Sequence, residues 1–191
     1  IDGLKGEVPV IASVFSPLYC ARGVYGGSAR PQLLQAAIKY SPEDVHAGME
    51  IISESIQMFL DALMEMGGVD GIFWADAFAS YDDMDRETYA EFGAKYDLPL
   101  LNSIKDKTWF NVLHIHGSNT MFETLCKYPL PVLNWHDRQD GPTMAEAAKL
   151  TDKVFLGGLR EGPAIVNGHL VYDSIMAKAD ETPAGVEAHI H

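Results

Sequence analysis

Two rhythms of apolar residues alternate along this chain. Short, densely apolar runs are separated by stretches in which apolar residues recur every third or fourth position. The first pattern predicts strands covered on both faces, and the second predicts helices with one buried stripe. Residues 9–15 form the first run, which closes at Ser16-Pro17 and is followed by what reads as a glycine-rich loop. A long helix is predicted from Ser41, which can cap, through Pro42, which suits the first helical position, and Asp44, which can return a hydrogen bond to the cap. Its stripe is Val45, Met49, Ile52, Ile56, Leu60 and Leu63, and the methionines Met58, Met64 and Met66 read as core packing. Gly67-Gly68 offers a left-handed stop, and residues 69–76 follow at once as the second strand.

The helix-then-strand unit repeats. Helical segments over residues 85–96 and beyond Pro99 precede a strand over residues 109–116, closed by Gly117. A short helix through Met121, Phe122 and Leu125 leads to a strand over residues 131–135. Thr143 and Glu146 have capping-box spacing for the next helix. Residues 154–158 read as a fifth strand, and a last helix is expected over residues 170–179, before a frayed tail.

Strands alternating with helices imply a parallel sheet in an α/β fold. An open doubly wound sheet would usually carry a phosphate-binding glycine loop after its first strand, and neither G-x-G-x-x-G nor a Walker sequence is present. The prediction is therefore an incomplete (β/α)8 TIM-type barrel of about five parallel strands, a single domain over residues 1–191. A complete barrel takes about 250 residues, so two sheet edges are expected to lack strands. On this reading the chain is a fragment, or a second copy or partner chain completes the barrel.

Composition narrows the partners. With 47% hydrophobic residues among 191, one good core is expected. A formal charge of −13 opposes binding to nucleic acid or to an anionic membrane surface. Cys20 and Cys126 lie far apart and make neither a disulfide framework nor a Cys-x-x-Cys motif, which suits a reducing cytoplasm. No apolar stretch approaches the roughly 20 residues of a membrane span, and no secretory signal is evident, so a cytoplasmic protein is expected.

In a parallel sheet the chemistry gathers at the carboxyl ends of the strands. Asp76 ends the second strand, His114 and His116 end the third, Trp135 closes the fourth with His136 and Asp137 beyond it, and Arg160 follows the fifth. Alternation puts His114 and His116 on one side of their strand, a pair that can grip one metal ion. A third ligand has to come from elsewhere, with His136, Asp76 and Asp137 as candidates. Isolated histidines near strand ends are more often hydrogen-bonded wall residues, and substrate binding or general acid–base work by the pair stays open beside metal binding. Asp76, His114 and His136 are the candidate catalytic residues, against the plainer reading of Asp76 as a loop cap. Arg22, Arg138 and Arg160 fall in apparent loops. Arg138 and Arg160, which can hold carboxylates bidentately, are grouped with Trp135 as substrate-binding candidates. His46 and His169 read as surface residues, and Cys20 as a packed thiol.

The order Phe15-Ser16-Pro17, Ser41-Pro42-Glu43, Gly68-Val69-Asp70-Gly71-Ile72, Leu113-His114-Ile115-His116-Gly117, Leu133-Asn134-Trp135 and Gly157-Gly158-Leu159 resembles the uroporphyrinogen decarboxylase superfamily over nearly the whole chain. The resemblance implies a (β/α)8 barrel whose mouth is the active site, and the matching pieces correspond to its third to seventh strands. It also implies one of two chemistries. The decarboxylase branch acts without a cofactor on carboxylate-bearing, tetrapyrrole-type substrates through arginines and an aspartate in segments with no counterpart here, and Asp76 falls at one of its polar substrate contacts. The methyltransferase branch uses zinc and acts with corrinoid proteins or thiols, holding the metal through a His-x-Cys pair and a distal cysteine. In this chain His114 matches the histidine, His116 stands where the cysteine would be, and the distal cysteine has no counterpart. The leading expectation is a decarboxylase-like enzyme. A zinc-dependent methyltransferase is the alternative, and a barrel without catalysis that serves as a binding or assembly module is the third.

Overall fold

The computed structural model describes residues 4, 6–158, 164–166 and 169–171. Five strands make one parallel sheet in sequential order: β1 (Ile11–Phe15), β2 (Gly71–Asp76), β3 (Val112–Ile115), β4 (Val132–Trp135) and β5 (Val154–Phe155). Among the described residues the sheet does not close on itself, in keeping with the incomplete barrel that the alternation predicts. Helices α1 (Pro17–Val24), α2 (Gln32–Tyr40) and α3 (Pro42–Met66) lie between β1 and β2. Between β2 and β3 run α4 (Arg86–Tyr89), a π-turn (Ala90–Ala94) and α5 (Lys95–Ile104), while α6 (Phe122–Leu125) and α7 (Met144–Ala147) complete the later crossovers. Among the described residues no helix is long and apolar enough to cross a membrane.

Register gives the two faces of the sheet different characters. Val14, Trp74, Leu113, Leu133 and Phe155 stand side by side, and all but the last are under a tenth exposed because the helices cover them. The neighbouring row of Asp76, Ile115 and Trp135 faces the same way and is also buried. The opposite face carries Ser13, Phe15, Phe73, Ala75, His114 and Asn134, and its rim at Phe15 is 47% exposed. The first strand is thus covered on one face only, unlike the doubly buried strand expected from its composition.

Several local expectations are refined. The glycine-rich segment after β1 is largely helical: Ser16 caps α1 by accepting from the Tyr19 amide, and Pro17 takes the first position. At the matching Ser41-Pro42 the serine makes no side-chain cap, and only its carbonyl accepts, from Val45. The Thr143–Glu146 capping box forms in full. Pro99 does not begin a helix; it lies inside α5, shortly after the π-turn. Met64 packs against the core, but Met58 and Met66 are exposed on the outer side of α3. The helix expected over residues 170–179 is overridden at its start, where His169–Val171 pairs antiparallel with Ala164–Val166; its remainder lies outside the described residues.

Two glycines of opposite kind test this packing. A Cβ on Gly71 would come within 1.8 Å of the Phe110 carbonyl oxygen, a backbone atom pinned where β2 meets the approach to β3. Gly48 within α3 has open space around it. Gly71→Ala is expected to cost about 2–3 kcal/mol by overpacking, whereas Gly48→Ala should stabilise by about 0.5–1 kcal/mol through helix propensity. Urea unfolding of both variants measures the difference.

Candidate functional site

Three imidazoles meet at one rim of the exposed face. Ala75, His114 and Asn134 are register partners across β2, β3 and β4, so their side chains leave the sheet together. His116 and His136 stand two residues further along their respective chain directions and return to that same side. Ring centroids are 5.6 Å apart for His114 and His116, 5.7 Å for His114 and His136, and 4.8 Å for His116 and His136. With one nitrogen taken from each ring, all three lie within 4.8 Å of one another. Nitrogens bound to one tetrahedral zinc stand about 3.3 Å apart, so these three would draw closer together to share an ion.

Surrounding groups orient the rings. His114 Nδ1 is 2.5 Å from Asn134 Oδ1, and Asn134 is itself fixed because its Nδ2 donates to the Leu156 carbonyl at 2.5 Å. An amide oxygen only accepts, so the His114 proton sits on Nδ1 and the lone pair on Nε2. Asp140 Oδ2 lies 3.4 Å from His136 Nδ1 and favours the same tautomer there. Carboxylate or amide partners behind a histidine are what metal-binding imidazoles generally use to hold their geometry. Three neutral nitrogen donors suit zinc and its first-row neighbours.

Two of the imidazoles, His114 and His116, border an open cleft of about 330 Å³ on the same face. Its lining includes Phe15, Phe73 and Ala75 from the sheet, His114 and His116 from the rim, and Tyr19 and Arg22 from α1. Phe73 stacks on His114 at 5.0 Å, and Phe15 on Tyr19 at 4.8 Å. Among the described residues the arginine that lines this cleft is Arg22, whose segment read as a loop and is the last turn of α1.

Asp76 occupies the expected end of the sheet but the other face. Its expected place beside the imidazoles is corrected by register, which pairs it with Ile115 rather than His114. The carboxylate is 1% exposed and accepts from the Phe78 amide at 3.2 Å and from the Tyr89 hydroxyl at 2.6 Å. That hydroxyl also lies 3.1 Å from Asp97 Oδ2 and 2.8 Å from the Tyr128 hydroxyl, which donates to Asp97 Oδ2 at 2.9 Å. Burial raises the pKa of Asp76, opposed by these hydrogen bonds. Asp97 is held well above the ordinary carboxylate range, first by burial and then by the charge of Asp76. Two carboxyls this close and this dry cannot both ionise at low cost, and Asp97 keeps the proton.

The remaining candidates are dispersed. Trp135 points into the helix layer, 4% exposed, with its indole N–H donating to the Pro142 carbonyl, so it is absent from the cleft. Asp137 is buried and accepts from the Gly158 amide at 3.0 Å, while Arg138 Nε donates to the Gly158 carbonyl at 3.1 Å; both tie the end of β4 to the end of β5. Arg160 lies outside the described residues. His46 is less peripheral than expected, stacking on Phe92 at 4.4 Å and bonding Tyr96 and Glu91. Cys20 is a half-buried thiol whose pKa burial raises, in keeping with a packed role.

Residues 1–180 match the family model described as Uroporphyrinogen decarboxylase (URO-D). None of the curated proteins matches the chain significantly. Among solved structures, a methyltransferase from Methanosarcina mazei superposes with a TM-score of 0.72 at 17% identity, covering 95% of this chain and 51% of its own. The likeness shows the fold, and the chain spans about half the length of that methyltransferase.

The buried carboxyl pair has a testable signature. An acid whose pKa is raised on folding leaves the native state holding more protons than the unfolded chain, so stability falls as pH rises from the ordinary carboxylate range toward the raised value. Asp97→Asn removes the group that must stay protonated. A flatter Tm profile between about pH 4 and pH 8 is expected, with the variant gaining on the unaltered protein toward the alkaline end. An unchanged slope would contradict the assignment of the proton to Asp97.

Proposed function

The chain belongs to the uroporphyrinogen decarboxylase family, and from that membership we propose that it is a metal-dependent enzyme of the methyl-transfer kind, with His114, His116 and His136 as the ligands. The observation that carries this reading is the convergence of three imidazoles on one rim. Asn134 and Asp140 favour it as well, because they present the Nε2 lone pairs of His114 and His136. A bound zinc-type ion would supply Lewis acidity to the methyl donor or acceptor, with a corrinoid protein or a thiol as the other party.

The departure from the family pattern shapes the chemistry. Thiolate ligands push electron density onto a metal-bound thiol, and His116 in the cysteine position withholds that push. An all-imidazole site keeps more positive charge on the ion and better suits a harder nucleophile, such as water or an oxygen-bearing group. The protein's own contribution is to hold the rings and to wall the cleft with Phe15 and Phe73 beside them.

A decarboxylase-type reading is the second choice, and Arg22 on the cleft wall favours it as a partner for substrate carboxylate. Under that reading His114 and His136 move protons, and Asp76 acts at one remove, by fixing the end of β2 through its buried hydrogen bonds.

Metal titration separates the two. The unaltered chain is expected to bind one equivalent of zinc, and His114→Ala or His136→Ala to weaken it about 100-fold or more by deleting a ligand. Asn134→Ala should weaken it by about 10–100-fold while leaving all three ligands in place. Absence of stoichiometric zinc after exhaustive loading would sink the metal-dependent reading.

A further inference from the structure

We propose that the cleft beside the imidazoles takes a flat, aromatic carboxylate, and that Arg22 is the residue that anchors its charge. The inference deepens the functional reading by naming a substrate class, and only the orientation of the ligand rests on that reading.

Arg22 sits in the last turn of α1. Its NH1 reaches the Ala77 carbonyl at 3.5 Å, and Ala77 itself lines the cleft, so the guanidinium stands at the cleft wall. The ring of Phe78 lies beneath it at 4.9 Å and holds it from behind. Its Nε is buried without an acceptor, and among the described residues no carboxylate comes within 4 Å of the group. Asp83 is close enough to feel its charge without pairing to it. A guanidinium placed by a cation–π contact and one long hydrogen bond, with the rest of its fork unpaired, is prepared for an anion that completes the set.

The walls say which anion. Phe15 with Tyr19 and Phe73 with His114 present two stacked aromatic pairs to the cleft, and the small side chain of Ala75 leaves room between them. Such surfaces favour a planar ring over a branched or flexible body. A volume of about 330 Å³ is at the small end of ligand sites, which fits one ring with substituents. One guanidinium matches a carboxylate bidentately, whereas the nearby Asp83 and the overall charge of −13 penalise a phosphate dianion. With the carboxylate at Arg22, the other end of the ring is directed toward His114 and His116.

Benzoate, benzamide and phenyl phosphate are the probes, titrated into the purified chain and followed by ligand-observed NMR and calorimetry. Benzoate is expected to bind, and its neutral isostere benzamide about tenfold or more weakly. Arg22→Gln should weaken benzoate by about tenfold or more and leave benzamide unchanged, with Arg22→Lys recovering part of the loss. The proposal fails if benzoate does not bind, if benzamide or phenyl phosphate matches it, or if a folded Arg22→Gln variant binds benzoate normally. Should the glutamine variant not fold, the lysine variant and the benzoate–benzamide comparison on the unaltered chain still decide. Cobalt(II) added to the chain should broaden the bound benzoate signals, and the double variant His114→Ala, His116→Ala, measured at saturating benzoate, should lose that broadening. If the unaltered chain binds no cobalt or zinc, the metal reading falls and the Arg22 assignment stands on the titrations alone.

Discussion

Strand register is the constraint from which the rest of this molecule follows. Parallel pairing of Ala75 with His114 and of His114 with Asn134 decides which side chains share a face, and a slip of one residue anywhere in the ladder would exchange the two faces. The exchange would be ruinous here. It would turn Trp74, Leu113 and Leu133 out of the helix-covered core and put His114 in their place. The helices therefore hold the register through hydrophobic burial, and the imidazoles inherit their alignment from it.

Each face then solves a different electrostatic problem. On the helix side, Asp76, Tyr89, Asp97 and Tyr128 share few protons among many oxygens in a region closed to water, and protonation of Asp97 is the least costly arrangement. On the open side two imidazoles and the Arg22 guanidinium border a cleft, with Asp140 behind His136, and solvent is at hand. The π-turn between α4 and α5 serves the first arrangement, because Gly93 leaves room for the Tyr89 ring: a Cβ there would approach the ring carbon Cε2 to 2.4 Å. Such turns commonly mark places where a helix is bent to a particular purpose.

The alternation of strands and helices, and hence the architecture, was legible in the sequence because hydrophobic period is a local property. His114 and His116 on one face were legible for the same reason. The third imidazole was only a candidate, since its arrival depends on how β3 and β4 align. Asp76 was misplaced because β2 is apolar on both faces: Ile72, Trp74 and Asp76 alternate with Phe73 and Ala75, and nothing in that pattern says which set faces the helices. Arg22 was hidden by glycines that suggested a loop, although Ser16-Pro17 is the same opening signal as Ser41-Pro42. Tyr89, Asp97 and Tyr128 carried no signal at all, because what unites them is a meeting across crossovers.

The turn of Asp76 into the helix-covered layer gives the fold a kind of modularity. Its carbonyl oxygen accepts from the His116 amide at 2.8 Å, a link through main chain that is indifferent to side-chain identity. Residues at the open rim can therefore diversify through descent without disturbing the ionisation balance on the far side, and the scaffold can carry new chemistry while its interior stays as it was.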